Sequence, residues 1–137
     1  MAYWLVKSEP GAWSWQQQVA AGTTFWDGVR NAQANNHLKA MRVGDQAYFY
    51  HSGTERAIVG VVEVVRAYYP DPADASGRFG MVDVRTVAAL PLPVTLTAVK
   101  AEAQLAHLAL VRQSRLSVMP VDPPAWQILA TMGGLAQ

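Results

Sequence analysis

Four short segments of the sequence place polar side chains next to aromatic or β-branched ones. They are KSEP at 7–10, WDGVRN at 26–31, FYHS at 49–52 and RLS at 115–117. Each falls at the end of a predicted strand, at the start of a predicted helix, or within a predicted short strand. Binding sites collect at strand ends and helix starts because a rigid scaffold holds the side chains at the surface. These four segments therefore supply the candidate functional residues.

The residue types in these segments favour recognition of a flat heterocycle. A planar base needs an aromatic surface, worth about 1–3 kcal/mol per stacked base, and fixed donors and acceptors along its edge. Trp26, faced by Trp13 or Tyr50, would supply the aromatic surface. The polar contacts would come from Ser8, Asn31, Ser52 and the backbone around Gly28 at the base edge, and from Lys7, Arg30 and Arg115 at a phosphate or ring edge.

Common catalytic and metal-binding patterns are missing from the sequence. It contains no cysteine, no P-loop, no GxGxxG opening a helix and no GxSxG elbow. The histidines at 37, 51 and 107 lack the spacing of zinc ligands. His51 and Ser52 are neighbours on a predicted strand, so their side chains point to opposite faces and make a poor catalytic pair. We expect no enzyme activity, no cofactor and no metal ion.

The composition indicates a compact protein whose charge is nearly balanced. The 137 residues fit one domain spanning 1–137, and 51% of them are hydrophobic while 15% are charged. A net charge of +1 argues against coating long duplexes, but it suits a pocket that takes in one extruded base. The N-terminus does not resemble a signal peptide, and no apolar run reaches the roughly 18–20 residues of a membrane span. We expect a cytoplasmic protein without membrane contacts, as a monomer or weak dimer.

The hydrophobic pattern predicts an α+β domain. Strands are predicted at 3–7, 46–52, 57–69, 79–90 and 115–120, and helices at 15–21, 31–42, 97–104 and from 123 onward. Valines on both faces of 57–69 predict a central strand, and Gly60 within it predicts a bulge or a close backbone approach. The most economical architecture is a curved or barrel-like antiparallel sheet flanked by short helices.

Several residues specify details of these elements. Trp15 and Val19 are four apart and should share the buried face of the first helix. Thr97 is the expected cap of the third helix. Asp122 followed by Pro123 should open the last helix as N-cap and first helical residue.

Each candidate segment also has a purely structural interpretation. These interpretations are a turn for Ser8 and Glu9, a helix cap for Asn31, burial for Trp26, a hydrogen-bonded structural role for His51, and an ion pair of Arg115 with Glu9 or Asp27.

Longer motifs of the chain resemble the EVE domain family. They are YWLVKSEP, WDGVRNAQANNHLKAMRVGD, FYHS, AIVGVVEVV followed by YPDP, and LVRQSRLSVMPV, in order from residue 3 to about residue 132. The resemblance implies a PUA-like fold, a small barrel with flanking helices. It also implies a non-enzymatic pocket that binds modified bases in DNA or RNA within an aromatic cage. By position, it implies a site composed of Lys7, Ser8, Glu9, Trp26, Asp27, Gly28, Val29, Arg30, Asn31, Tyr50, His51, Ser52, Arg115, Leu116 and Ser117, while Trp13 keeps a ring where the family pattern suggests Tyr.

The sequence thus favours a module that recognises a modified nucleobase in DNA or RNA. One alternative is a protein-interaction domain that uses Trp13 and Trp26 as exposed anchors. A second alternative is a nucleic-acid-processing enzyme that uses His51, Glu9 and Asp27. The base-binding hypothesis requires that Trp26, Ser8 and Asn31 border one hollow.

Overall fold

The computed structural model describes residues 1–135, and the strands and helices within this range form a mixed α+β structure. The strands are β1 (Tyr3–Ser8), β2 (Thr23–Trp26), β3 (Gln46–His51), β4 (Ala57–Pro70), β5 (Gly80–Thr95) and β6 (Val118–Val121). The helices are α1 (Trp15–Ala21), α2 (Ala32–Ala40), α3 (Leu96–Ala101), α4 (Ala109–Arg112) and α5 (Pro123–Met132), with a 3₁₀ turn at Ala103–Leu105. None of these helices has the length and apolar character needed to cross a membrane.

The α+β class is confirmed, but within residues 1–135 the sheet is not closed into a barrel. The six strands are hydrogen-bonded in the order β2-β5-β4-β3-β1-β6, so β2 and β6 are the edges. The sheet is mixed, because β1 and β3 run parallel while the other pairs are antiparallel. Parallel neighbours need a long crossover, and the segment containing α1, β2 and α2 provides it.

Strand β4 lies at the centre of the sheet, as its valines predict. It pairs with β3 on one side and β5 on the other, and both ladders shift register near Gly60. A Cβ added at Gly60 would lie 2.3 Å from the Trp15 ring. Both expectations for this glycine are confirmed, because the strand is irregular there and an indole packs directly on its backbone.

The buried face of α1 differs from the prediction. Trp15 is buried, but Val19 is 51% exposed and Gln18 is fully buried in its place. The Gln18 amide donates to the carbonyl of Gly22 and to the Thr86 hydroxyl, and its oxygen accepts from the Trp13 ring nitrogen. A polar residue is tolerated inside because these partners satisfy it.

Other predictions about the elements were wrong as well, including the end of β5, which runs through Pro91 to Thr95 and not to residue 90. The four-residue strand β2 was not anticipated, and Thr95 rather than Thr97 caps α3 through the Ala98 amide. The last strand begins at Val118, so Arg115 and Ser117 lie in the preceding turn and not on one strand face. The cap by Asp122 and the start of α5 at Pro123 are confirmed.

Candidate functional site

A cavity of about 490 Å³ opens between the C-terminal ends of β1 and β2. We call it the indole cavity, and its walls are Lys7, Ser8, Glu9, Ala12, Trp13, Thr24, Phe25, Trp26, Asp27 and Gly28. Three strands separate β1 from β2 in the sheet order, so these ends meet only because the sheet curves. The volume falls in the range of small-ligand sites, roughly 300–1,000 Å³. The first two predicted segments therefore converge, whereas Ala12, Thr24 and Phe25 were not predicted.

The two indoles of the cavity differ in accessibility. Trp26 is only 7% exposed, and its ring packs edge-on against Phe49 with centroids 5.4 Å apart. Trp13 is half-buried, and its ring nitrogen donates to Gln18 Oε1 over 3.0 Å. Trp13 is therefore the more accessible stacking surface, and the burial of Trp26 removes one of the two exposed anchors of the protein-interaction alternative.

A tight turn holds the Trp13 wall in place. The amides of Ala12 and Trp13 both donate to the Glu9 carbonyl at 2.9 Å, and the Ser8 hydroxyl donates to the Trp13 carbonyl. Ser8 is nearly buried and Glu9 is exposed. The turn interpretation of KSEP is correct, and the same turn forms one side of the cavity.

The opposite wall is fixed by a buried carboxylate that was not among the residues predicted from the sequence. Asp71 is 3% exposed and accepts hydrogen bonds from the amides of Gly28 (3.1 Å) and Ala73 (2.8 Å) and from Arg30 Nη1 (3.0 Å). Burial by itself raises the pKa of Asp71, but these three donors together lower its pKa below the ordinary value. The signal that could have identified this residue was the YPDP motif, where an acid follows a strand end beside prolines. Gly28 has φ of +78°, a conformation that glycine adopts without strain.

Asn31 and Val29 serve the scaffold. The Asn31 side chain accepts from the Ala34 amide at 2.9 Å and caps α2, and Val29 is buried in the core. Asn31 borders a separate depression of about 330 Å³ that Arg115 and Leu116 also line. Of the three residues that the hypothesis places around one hollow, Trp26 and Ser8 border the indole cavity and Asn31 does not. The prediction that Asn31 contacts the base is therefore wrong, and the base-binding hypothesis rests on Trp26, Ser8 and the other walls of the indole cavity.

The FYHS segment divides between two sides of the sheet. Tyr50 and Ser52 border a third depression, of about 210 Å³, together with Lys7. His51 is buried, and its Nε2 accepts from the Trp15 amide at 2.9 Å while Nδ1–H donates to the Glu55 carboxylate. Both ring nitrogens are occupied, so His51 holds the start of α1 against β3 and has no nitrogen free for proton transfer.

The RLS segment contributes mainly through its backbone and its apolar residue. The Lys7 amide donates to the Ser117 carbonyl at 2.9 Å, and Leu116 is buried. Arg115 is exposed and is not within ion-pair distance of Glu9 or Asp27, so the predicted ion pair is not formed. The arginine that does pair with an acid beside the indole cavity is Arg30, whose partner is Asp71. In that same part of the chain, His, Asp and Glu side chains form no group of three that could hold a metal ion.

Known proteins resemble this chain over its whole length. The EVE domain family model matches residues 2–132. Thymocyte nuclear protein 1 of Gallus gallus is 37% identical over 95% of this chain and 68% of its own length. The NMR structure of Rpa0253 from Rhodopseudomonas palustris is 54% identical with a TM-score of 0.94, covering 100% of this chain and 96% of that one. The crystal structure of human THYN1 protein in complex with 5-methylcytosine containing DNA is 29% identical with a TM-score of 0.89, covering 100% of both chains.

These similarities confirm the resemblance inferred from the motifs. The family model spans nearly the entire sequence, and the experimental structures share the arrangement of strands and helices described above. The chain belongs to the EVE domain family.

Proposed function

We propose that this protein binds a modified nucleobase of DNA or RNA in the indole cavity and does not catalyse a reaction on it. The observation that carries the proposal is the convergence of Trp13, Trp26 and the polar groups of Ser8 and Asp27 on one cavity of about 490 Å³. The structure of the human relative in complex with 5-methylcytosine containing DNA supports the binding of a modified base, since its fold matches across the whole chain.

The cavity has the parts that recognition of a base requires. The half-buried Trp13 indole offers a face for stacking, and the exposed Asp27 carboxylate can accept from an exocyclic amine. The base would have to leave its stack, because a cavity of about 490 Å³ has room for a single base and not for a duplex. A protein that takes in a single base needs few phosphate contacts, which agrees with a net charge of +1.

A binding role is also favoured over a catalytic one. The enzyme alternative depends on His51 as a general base, yet His51 uses both ring nitrogens inside the scaffold. Glu9 and Asp27 remain at the cavity as hydrogen-bond acceptors. We include in the proposal that the protein works without a cofactor, in the cytoplasm.

Binding should be measured by fluorescence anisotropy with short labelled oligonucleotides that differ in a single 5-methylcytosine. We expect tighter binding of the modified strand, and a loss of about 10- to 100-fold in the Trp13→Ala variant, since stacking on one ring is worth about 1–3 kcal/mol. Val43→Ala is the control, because Val43 is 63% exposed and is not part of the cavity wall.

Two results would contradict the proposal. Equal affinity for the modified and unmodified strands would show that the modified base is not recognised. Wild-type affinity in Trp13→Ala would show that the base does not bind in the indole cavity. A folded Trp13→Ala variant that loses a nuclease-resistant protein partner would favour the interaction-domain alternative.

A further inference from the structure

The third depression, which Tyr50 and Ser52 border, adjoins the indole cavity and is rich in cations. It has a volume of about 210 Å³, and the polar side chains or backbone groups on its surface belong to Lys7, Tyr50, Ser52, Arg56, Lys100 and Ser114. We call it the cationic depression. Three of these residues are basic, and among the described residues none of the side chains lining it is acidic.

Lys7 connects the cationic depression to the indole cavity, because it lines both. Its Nζ donates to the Ser114 carbonyl at 3.0 Å and lies 5.6 Å from the centre of the Tyr50 ring. Burial lowers the pKa of Lys7 below its ordinary value, since the charged amine is partly removed from water. An anion placed beside this amine would favour its charged form.

Arg56 is held in a conformation that few side-chain-bearing residues adopt. Its φ is +46°, and it is the one non-glycine residue with positive φ between residues 1 and 135. Its carbonyl accepts from the Leu96 amide at 2.8 Å, and Leu96 opens α3, the helix that carries Lys100 in its last turn. Arg56 and Lys100 are thereby fixed to each other through the backbone. Backbone strain of this kind concentrates at functional sites.

The nearest carboxylates leave the depression positive. Glu55 is engaged with His51. Glu9 is exposed, and its Oε1 lies 3.5 Å from where a Cβ on Gly53 would be. Because Gly53 lines the depression, this carboxylate stands at the rim shared with the indole cavity, opposite three basic residues. Burial raises the pKa of Tyr50 while Arg56 opposes that rise, and the hydroxyl is left as a neutral donor beside the cations.

We propose that the cationic depression binds the backbone phosphate next to the base that occupies the indole cavity. The inference rests on the function proposed above, since a base inserted beside Lys7 would bring its own phosphodiester within reach of that residue. A phosphate suits the depression because it accepts several charge-assisted hydrogen bonds at once.

The test uses Lys100→Ala and Arg56→Asn, since asparagine tolerates positive φ better than most residues. For a single-stranded oligonucleotide with one 5-methylcytosine, each lost phosphate contact should lower the slope of log affinity against log salt by about 0.7, which corresponds to about fivefold weaker binding at 0.1 M salt. The preference for the modified strand should stay unchanged, because the variants leave the indole cavity intact.

Arg42→Ala is the matched control, with the same change in charge at the other end of the sheet. The Arg42 amide donates to Asp45, which also binds Ala2 and Trp4 at the beginning of β1. We expect wild-type affinity and salt dependence for this variant. A chemical control replaces the linkages beside the modified base by uncharged methylphosphonates. The wild-type protein should then bind this oligonucleotide about fivefold more weakly. The affinity of Lys100→Ala should not fall any further.

The possible outcomes separate the two proposals. Wild-type salt slopes in both variants, with base discrimination intact, would overturn the phosphate site alone. Loss of base discrimination in wild type would overturn the proposed function. Binding of inorganic phosphate by calorimetry, without any change in the oligonucleotide slope of the variants, would indicate a free-phosphate site and overturn the inference.

Discussion

At the scale of single residues, Asp71 is the position on which the geometry of the cavity depends most. Its side chain is 1% exposed, whereas that of its partner Arg30 is 40% exposed. The two amides that donate to it belong to the loop of Gly28 and to its own turn at Ala73. A buried carboxylate with three donors ties two loops together, so its loss affects more than one ion pair.

We predict that Asp71→Asn lowers the free energy of unfolding by about 2–3 kcal/mol, because the amide keeps the shape but loses charge-assisted hydrogen bonds. Asp27→Asn, an exposed carboxylate of the same loop, should change stability by less than about 0.5 kcal/mol. Chemical denaturation of both variants checks this. Equal effects of the two substitutions would contradict the role assigned to Asp71.

The ionisation of Asp71 also predicts how the stability of the protein depends on pH. Because the pKa of Asp71 is lowered in the folded state, its contribution to stability is complete above the pKa of the unfolded chain, about 3.9, and is lost as pH falls through the lower folded value. The stability difference between wild type and Asp71→Asn should therefore be constant near neutral pH and shrink in acid. A difference that grows on acidification would show that the carboxylate is not stabilised in this way.

At the scale of secondary-structure elements, the approach of α1 to the sheet determines where Trp13 stands. The helix rests on β4 where the Trp15 ring packs on Gly60, and the Trp15 amide is held by His51 on β3. Trp13 lies two residues before Trp15, so any movement of α1 moves the accessible wall of the indole cavity.

We predict that Gly60→Ala destabilises the protein by about 1–3 kcal/mol, since the added methyl would lie 2.3 Å from the Trp15 ring and overpack the core. It should also weaken binding of the modified oligonucleotide through displacement of α1. Gly11→Ala is the control, because a methyl there meets nothing within 4 Å. Thermal unfolding and anisotropy measure the two effects. A Gly60→Ala protein as stable as wild type would refute the close packing.

At the scale of the whole molecule, the edges of the sheet indicate how the protein behaves in solution. Strand β2 has four residues, and β6 carries Pro120, which cannot donate a hydrogen bond to another strand. Short strands and edge prolines discourage pairing between copies. A monomer or weak dimer was expected from the sequence, and it stays a prediction.

We predict that sedimentation at micromolar concentration gives the mass of one chain. Pro120→Thr should increase association between chains, because it restores a backbone N–H on the edge strand β6. It should change little in the core, since Pro120 is exposed. A stable dimer of the wild-type protein would contradict the prediction. An unchanged degree of association in Pro120→Thr would show that Pro120 does not limit pairing at the β6 edge.

The sequence alone was enough to predict the α+β class, the central position of β4, the tight packing at Gly60 and two of the segments that line the cavity, KSEP and WDGVRN. These features follow from periodicity, from composition and from residues with few alternative uses, all of which are local properties. It did not determine that Gln18 would be buried in place of Val19, that Asn31 would face away from Trp26, or that Asp71 would hold Gly28 and Arg30. Those outcomes depend on which distant groups meet when the sheet curves. The contacts of Asp71 with Gly28 and Arg30 join residues that are 43 and 41 positions apart in the sequence, and the local sequence pattern does not reveal such contacts. These outcomes became visible only in the folded structure, because burial of a polar group becomes favourable once its partners are in place.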